Sequence, residues 1–182
     1  TVEIVKDGVL VAGLGDVFTA REAGMEITGA GRAESYAHLP LPRMSNIRLL
    51  VDVVEPLETS PDPMVEAHNI RKALEARGEL QKRHLVLVGY RGGQVNPKTG
   101  DFVFQCSGII DVGDPALPLY QPSIFSGKIL NALKAIRFGL GEPCFDAIGT
   151  CGKSGQAVPS SGGSHKYLAF AEDPHVRLGG EG

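Results

Sequence analysis

Apolar and polar residues alternate at the start of the chain. Val2–Lys6 shows this alternation, and Val9–Ala12 returns after the turn signal Asp7-Gly8. A period of two is typical of a half-buried strand, and Asp-Gly favours a two-residue hairpin turn. The pattern therefore predicts an N-terminal β-hairpin.

Two longer segments place apolar residues at helical spacing. The first begins at Asp62, an N-cap followed by Pro63, and ends at Gly78. Its apolar face is Met64, Ala67, Ile70 and Leu74. The second is capped by Ser126, ends at Gly139 or Gly141, and carries the apolar stripe Ile129, Leu130, Leu133, Ile136 and Leu140. A short helix over Thr19–Ala23 is also predicted, because Thr19 and Glu22 have the spacing of a capping box.

The remaining apolar runs predict strands. Ile47–Val54 is expected to be a strand buried on both faces, because it is almost continuously β-branched or Leu. His84–Tyr90 and Asp101–Val112 predict a long hairpin, and His165–Ala171 a last strand. These patterns indicate an α+β fold with a largely antiparallel or mixed sheet built from hairpins and two main helices packed on it. We expect one globular domain over residues 1–173 and a flexible tail over 174–182.

Composition narrows the possible partners. The 182 residues are 42% hydrophobic and carry a net charge of -3, with no Lys/Arg run longer than Lys82-Arg83. This charge disfavours nucleic acid as a partner, and no apolar run approaches the length of a membrane helix. Three cysteines, with no signal-peptide pattern at the start, predict a cytoplasmic protein.

A glycine-rich segment is the strongest candidate for a functional site. Residues 147–154 resemble a phosphate-binding P-loop with Ala in place of the first glycine. A true P-loop needs a helix after the Lys-Ser pair, but Pro159 and several glycines follow Ser154. We therefore expect a glycine-rich loop over residues 149–163 that binds an anion through backbone N–H groups.

Reactive side chains in and near this segment suggest catalysis. Cys151 is the candidate nucleophile, Lys153 a nearby cation and His165 a candidate base. The expected substrate-binding residues are Gly152, Ser154, Ser161, Gly162, Arg32 and Arg43, the arginines acting as carboxylate clamps. A small buried hydrophobic cysteine and a solvated loop are the competing interpretations.

No metal ligands are predicted. The five histidines do not show the spacing that puts two ligands on one helix face, and the cofactor is unknown. The favoured hypothesis is a metabolic enzyme that binds a small-molecule carboxylate or phosphate. The alternatives are a non-catalytic, oligomer-forming structural subunit and a small-molecule sensor. A homo-oligomer is expected, because hairpin-rich domains readily pair their edge strands.

Overall fold

The computed structural model describes residues 1–179, without the side chains of residues 146–148. The chain divides into two compact units. The first unit is Thr1–Leu49 with Cys144–Ser164, and the second is Leu50–Pro143 with the chain from His165 onward. Within residues 1–179, no helix has the length and apolar content needed to span a bilayer.

Short elements make up the first unit. In chain order they are β1 (Val5–Lys6), β2 (Val9–Leu10), α1 (Val17–Ala23), β3 (Gly31–Arg32), β4 (Leu41–Pro42) and β5 (Asn46–Arg48). The predicted N-terminal hairpin is confirmed, with Asp7 and Gly8 at φ values of 49° and 76° in its turn. Helix α1 is longer than predicted. Asp16, rather than Thr19, is its N-cap, and Thr19 returns the capping-box bond.

The second unit contains most of the sheet. Its own elements are β6 (Val54–Glu55), α2 (Pro63–Arg77), β7 (Leu85–Val95), β8 (Asp101–Asp111), β9 (Leu119–Tyr120), β10 (Ile124–Lys128), α3 (Ile129–Ala135) and β13 (Val176–Leu178). Strands β13, β10, β8 and β7 are neighbours in that order, and β9 also pairs with β8. All of these pairings are antiparallel. The predicted hairpin of β7 and β8 is confirmed, with a bulge between Tyr90 and Gly92.

Two long strands, β11 (Ile136–Lys153) and β12 (Gln156–Phe170), contribute residues to both units. They are neighbours in a mixed sheet. In the first unit β5 runs parallel to β12, with Asn46 opposite Ser161. In the second unit β6 runs parallel to β11, with Val54 opposite Gly139. Mixed α and β content with largely antiparallel sheets agrees with the predicted fold class.

Helix α2 forms where its pattern predicts. Asp62 accepts hydrogen bonds from the N–H groups of Met64 and Val65, Pro63 occupies the first turn, and Gly78 ends the helix at a φ of 74°. Ala67, Ile70 and Leu74 are buried against residues of β8 and β11. Together with Ile110, Val112, Phe138 and Leu140 they form the core of the second unit.

The segment expected to be a buried strand over Ile47–Val54 does not form one. Only β5 and β6, at its two ends, are paired, and Ile47, Leu50 and Val53 are exposed. β-branched composition indicates strand propensity, but pairing depends on a neighbouring strand being available. Here β5 and β6 pair with two different long strands. Leu49 still donates to Gly163 O and Val53 accepts from Gly139 N–H, but residues 49–53 are not part of a strand.

The prediction of a second long helix is also wrong. Helix α3 covers only Ile129–Ala135, has Lys128 rather than Ser126 as its N-cap, and leaves Leu130 exposed. Ile136 is already extended, at a φ of -65° and a ψ of 127°, and begins β11. Before α3 the chain pairs with other strands as β10, and after α3 it does so as β11. This strand pairing overrides the helical periodicity on both sides of α3.

Within the predicted 174–182 tail, β13 pairs with β10, and residues 180–182 lie outside the described residues.

Glu66 of α2 is buried, although glutamate side chains are mostly exposed in folded proteins. Its Oε1 lies 3.0 Å from Lys166 Nζ, and its Oε2 accepts a hydrogen bond from Ser60 N–H. Burial by itself raises the pKa of Glu66, but these bonds outweigh it and hold the pKa below the usual glutamate value. The carboxylate is thus charged in the folded protein and stabilises α2 on its sheet.

Truncating Leu74 should test the core. We expect Leu74→Ala to lower the free energy of unfolding by about 2–5 kcal/mol, because it leaves a cavity at a fully buried helical position. Leu130→Ala is the matched control, since Leu130 is helical but 67% exposed. Its effect should stay within about 0.5 kcal/mol. Urea unfolding measures both, and equal losses would contradict the assignment of the core.

Replacing Glu66 should change the acid dependence of stability. A carboxylate with a lowered pKa in the folded state stabilises above its usual pKa of about 4.3, and this contribution is lost as pH falls through the lower folded value. Glu66→Gln should therefore be less stable than the wild type at pH 7, with the difference shrinking in acid. Urea unfolding between pH 7 and pH 3 measures this difference, and the exposed Glu58→Gln is the control. A difference that is constant with pH would refute the assigned role.

Candidate functional site

The prediction of a glycine-rich loop is wrong, because residues 149–163 lie in β11, in β12 and in the tight turn between them. Ser154 and Gly155 occupy the turn at φ values of 50° and 76°, the left-handed pair that a two-residue hairpin turn requires. The glycines permit close strand contact, since a Cβ at Gly149 would lie 2.9 Å from Ser160 O. The segment is therefore paired strand and turn rather than an open loop, and anion binding by its backbone N–H groups stays a prediction.

Arg43 holds the turn end of this hairpin. It is buried, only 2% exposed. Its Nη2 donates to the carbonyl oxygen of Cys151 on β11 and, at 2.8 Å, to that of Gln156 on β12. Its Nε and Nη1 are enclosed without a hydrogen-bond partner among residues 1–179. Arg43 thus fixes the backbone on both sides of the turn, and its predicted contact with a substrate stays a prediction.

Gln156 is a site residue that the sequence analysis missed. Its buried amide accepts from Glu34 N–H at 3.1 Å and donates to Leu39 O at 3.2 Å. Glu34 in turn accepts from Ala157 N–H at 3.1 Å. Its position was the signal, because Gln156 and Val158 alternate with the exposed Ala157 and Pro159 and so share the buried face of a strand. Residues 34–43 therefore clamp the hairpin from one side.

Lys153 stands beside the turn and contacts the same segment. Its ammonium donates to Pro42 O at 3.0 Å and is exposed.

Asp16 is held in its charged form by its neighbours. Hydrogen bonds from Thr19, and then from Phe18, lower the pKa of Asp16, and the charge of Lys153 acts in the same direction. Asp16 thus acts as the N-cap of α1.

Cys151 is partly exposed and reduced. Its carbonyl is held by Arg43, so the thiol projects from a backbone that is hydrogen-bonded in place. Cys144 is exposed, whereas Cys106 is buried in β8 with its Sγ 3.3 Å from Ser123 O. Cys151 is therefore the cysteine whose partial exposure and fixed backbone best suit a functional thiol.

The other predicted substrate-binding residues are spread along the first unit. Arg32 Nη1 donates to Met44 O at 2.7 Å, and Ser161 Oγ to Asn46 Oδ1 at 2.5 Å. Gly152 and Gly162 have open space where a Cβ would lie, and Ser154 is exposed in the turn. Both Arg32 and Ser161 thus contact groups of the chain itself.

His165 belongs to the second unit. Its ring is buried there, with Nδ1 3.0 Å from Gly141 O. Its predicted action as the base for Cys151 stays a prediction.

The donor side chains that the structure describes do not by themselves form a metal site. A structural or catalytic zinc ion takes at least three protein ligands, and no group of three His, Cys, Asp or Glu side chains occurs among the described residues. Cys151 offers one sulfur ligand of the kind that zinc prefers. A metal at this hairpin would need further ligands from outside the described chain.

Removing the guanidinium of Arg43 should loosen the turn. Arg43→Gln loses donors to two carbonyl groups, worth about 1–3 kcal/mol where the acceptors are buried. We expect amide exchange at residues 151–157 to accelerate about tenfold or more. Arg32→Gln is the control, because Arg32 donates to Met44 O instead. Hydrogen-exchange mass spectrometry measures both, and unchanged exchange in Arg43→Gln would show that the clamp contributes nothing.

Comparison with known proteins identifies the family of this chain. Residues 1–152 match the family described as PmbA/TldA metallopeptidase C-terminal domain. A "Metalloprotease TldD homolog" from Haemophilus influenzae is 31% identical over 86% of the chain and 29% of its own length. A "Metalloprotease" from Methanothermobacter thermautotrophicus is 34% identical over 96% of the chain and 32% of its own length.

A third relative, a "Metalloprotease" from Archaeoglobus fulgidus, is 35% identical over 92% of the chain and 35% of its own length. The chain thus spans about a third of the length of these curated relatives. The family match includes most of the hairpin strand β11 and reaches Cys151. The chain belongs to the PmbA/TldA metallopeptidase C-terminal domain family.

Proposed function

We propose that the chain is the C-terminal domain of a metal-dependent peptidase and that its β11–β12 hairpin contributes Cys151 to the active site. The family description and the relatives named metalloprotease support the activity class. The observation that carries the residue assignment is the clamp on Cys151. Its thiol is partly exposed, while Arg43 holds its carbonyl.

A site on paired strands is held more rigidly than one on a mobile loop. A bound metal ion in a peptidase polarises the scissile carbonyl and activates water. We propose that Cys151 supplies one sulfur ligand and that the remaining ligands come from other parts of the whole protein. The alternative role for the thiolate, direct attack on the peptide carbonyl, predicts an unchanged metal content when the sulfur is removed.

In this proposal the substrate is a peptide instead of the expected small-molecule anion. A peptide replaces the metabolite, and Lys153 is the exposed cation at the turn that can meet a peptide carboxylate. Ser161 and Arg32 are less suited to such a contact, because they bond within the first unit. A homo-oligomer and a cytoplasmic location are further proposals, which light scattering and cell fractionation test.

Replacing the Cys151 sulfur in the whole protein should remove activity. We expect Cys151→Ser to lower kcat/KM for peptide hydrolysis at least about 100-fold, because even outer-shell changes at metal sites cost about 10–100-fold. Bound metal, measured by elemental analysis, should fall in parallel. Cys144→Ser is the matched control, as a second cysteine on β11 that is exposed.

Two outcomes would separate the interpretations. Full activity in Cys151→Ser, with the fold retained by circular dichroism, would end the proposal for this residue. Loss of activity with undiminished metal would assign Cys151 as a nucleophile rather than a metal ligand.

A further inference from the structure

A cavity with aromatic walls lies on the sheet of the second unit, at the bulge in β7. Its volume is about 320 Å³, and Tyr90, Phe104, Cys106 and Phe125 are among the residues that line it. Tyr90 pairs with Cys106 and Phe104 with Phe125, so these side chains share one face of the sheet. All four belong to the second unit, and the cavity is therefore a feature of that unit alone.

The aromatic walls support one another. The rings of Tyr90 and Phe104 meet edge to face, with centroids 5.9 Å apart and an interplanar angle of 66°. The buried Phe102 contacts both Phe104 and Phe125, at 5.4 Å and 5.2 Å. Tyr90 remains 50% exposed at the end of this row. Because aromatic rings prefer edge-to-face or offset contacts with other rings, the row can accept a further ring at Tyr90 and Phe104.

Two glycines of β7 give the cavity its shape. Gly92 follows the bulge at a φ of 141°, which favours glycine. A Cβ at Gly93 would overlap the Phe104 ring, so only glycine lets this ring lie against the β7 backbone. Glycines inside a strand weaken it and often mark a close approach, and bulges are frequent beside functional sites. The bulge thus maintains a wall that a regular strand would not provide.

The chemistry of the walls selects a neutral ligand. None of the described residues that line the cavity carries a charge. The Cys106 thiol donates to Ser123 O at 3.3 Å, so its proton is already bonded within the protein. A charged group would lose its hydration here without gaining a partner. An apolar cavity of about 150 Å³ is sufficient for benzene, so this one has room for a phenyl or indole ring with several attached atoms.

We propose that this cavity binds a neutral aromatic ring, carried by a peptide side chain or by a free aromatic molecule. Tyr90 and Phe104 contact the ring through their own rings, and Phe125 forms a further wall. This inference goes beyond the proposed function, because it assigns no part in it to Cys151 or to a metal ion. Binding at the cavity and peptide hydrolysis can therefore fail independently of each other.

Saturation-transfer NMR on the whole protein tests the chemistry of the ligand. N-acetylphenylalanine amide represents the peptide source and indole the free molecule, and we expect at least one of them to bind. N-acetylcyclohexylalanine amide has a similar shape without the aromatic electrons and should bind about two- to tenfold more weakly than its phenylalanine counterpart. Binding of indole alone would assign the cavity to a free aromatic molecule. Equal affinity for the cyclohexyl and phenyl compounds, or no binding of either aromatic probe, would overturn the proposal.

Substitution of the half-exposed wall tests the location. Tyr90→Ala should lower the affinity for the bound probe at least about threefold, because it removes one aromatic contact. Tyr120→Ala is the matched control, since Tyr120 is similarly exposed, at 47%, on β9 of the same sheet and does not line the cavity. If Tyr90→Ala does not fold, as judged by circular dichroism, Phe104→Leu keeps an apolar wall without its ring and should show the same loss. Unchanged affinity in the folded variant, or equal losses in Tyr120→Ala, would refute binding at this cavity.

Discussion

Backbone hydrogen bonding along the β11–β12 hairpin is the constraint on which both units depend. The two strands have 18 and 15 residues and contribute to each unit. Strand β5 pairs with one of them and β6 with the other. A Cβ at Gly163 would lie 2.6 Å from Cys144 O. Glycine at this position therefore allows two backbones to approach closely, and a larger residue would separate the strands.

The arginine clamp connects this hairpin to the candidate chemistry. Burying a guanidinium is costly unless its donors find acceptors, and Arg43 uses the carbonyls on both sides of the turn. Gln156 adds bonds to residues 34–43, so polar contacts hold the turn where few apolar side chains are buried. Such a polar clamp specifies one backbone geometry at Cys151.

The reliability of the sequence predictions followed the range of the interactions behind them. Helix α2 was predicted closely, because its cap, its first-turn proline and its apolar face act within 16 residues of chain. The β1–β2 and β7–β8 hairpins were predicted because their turns are local. The predictions of a strand over Ile47–Val54 and of a second long helix were wrong. The secondary structure of both segments depends on pairing with strands distant in sequence.

The candidate site shows the same division. The sequence by itself determined the turns of the β1–β2 and β7–β8 hairpins and the caps of α2, because these follow from neighbouring residues. Tertiary structure decided that the glycine-rich segment is paired strand, that Arg43 and Gln156 hold it, and that His165 belongs to the other unit. The physical reason is that β pairing and buried hydrogen bonds satisfy backbone groups over separations of 100 residues and more, as from Arg43 to Gln156.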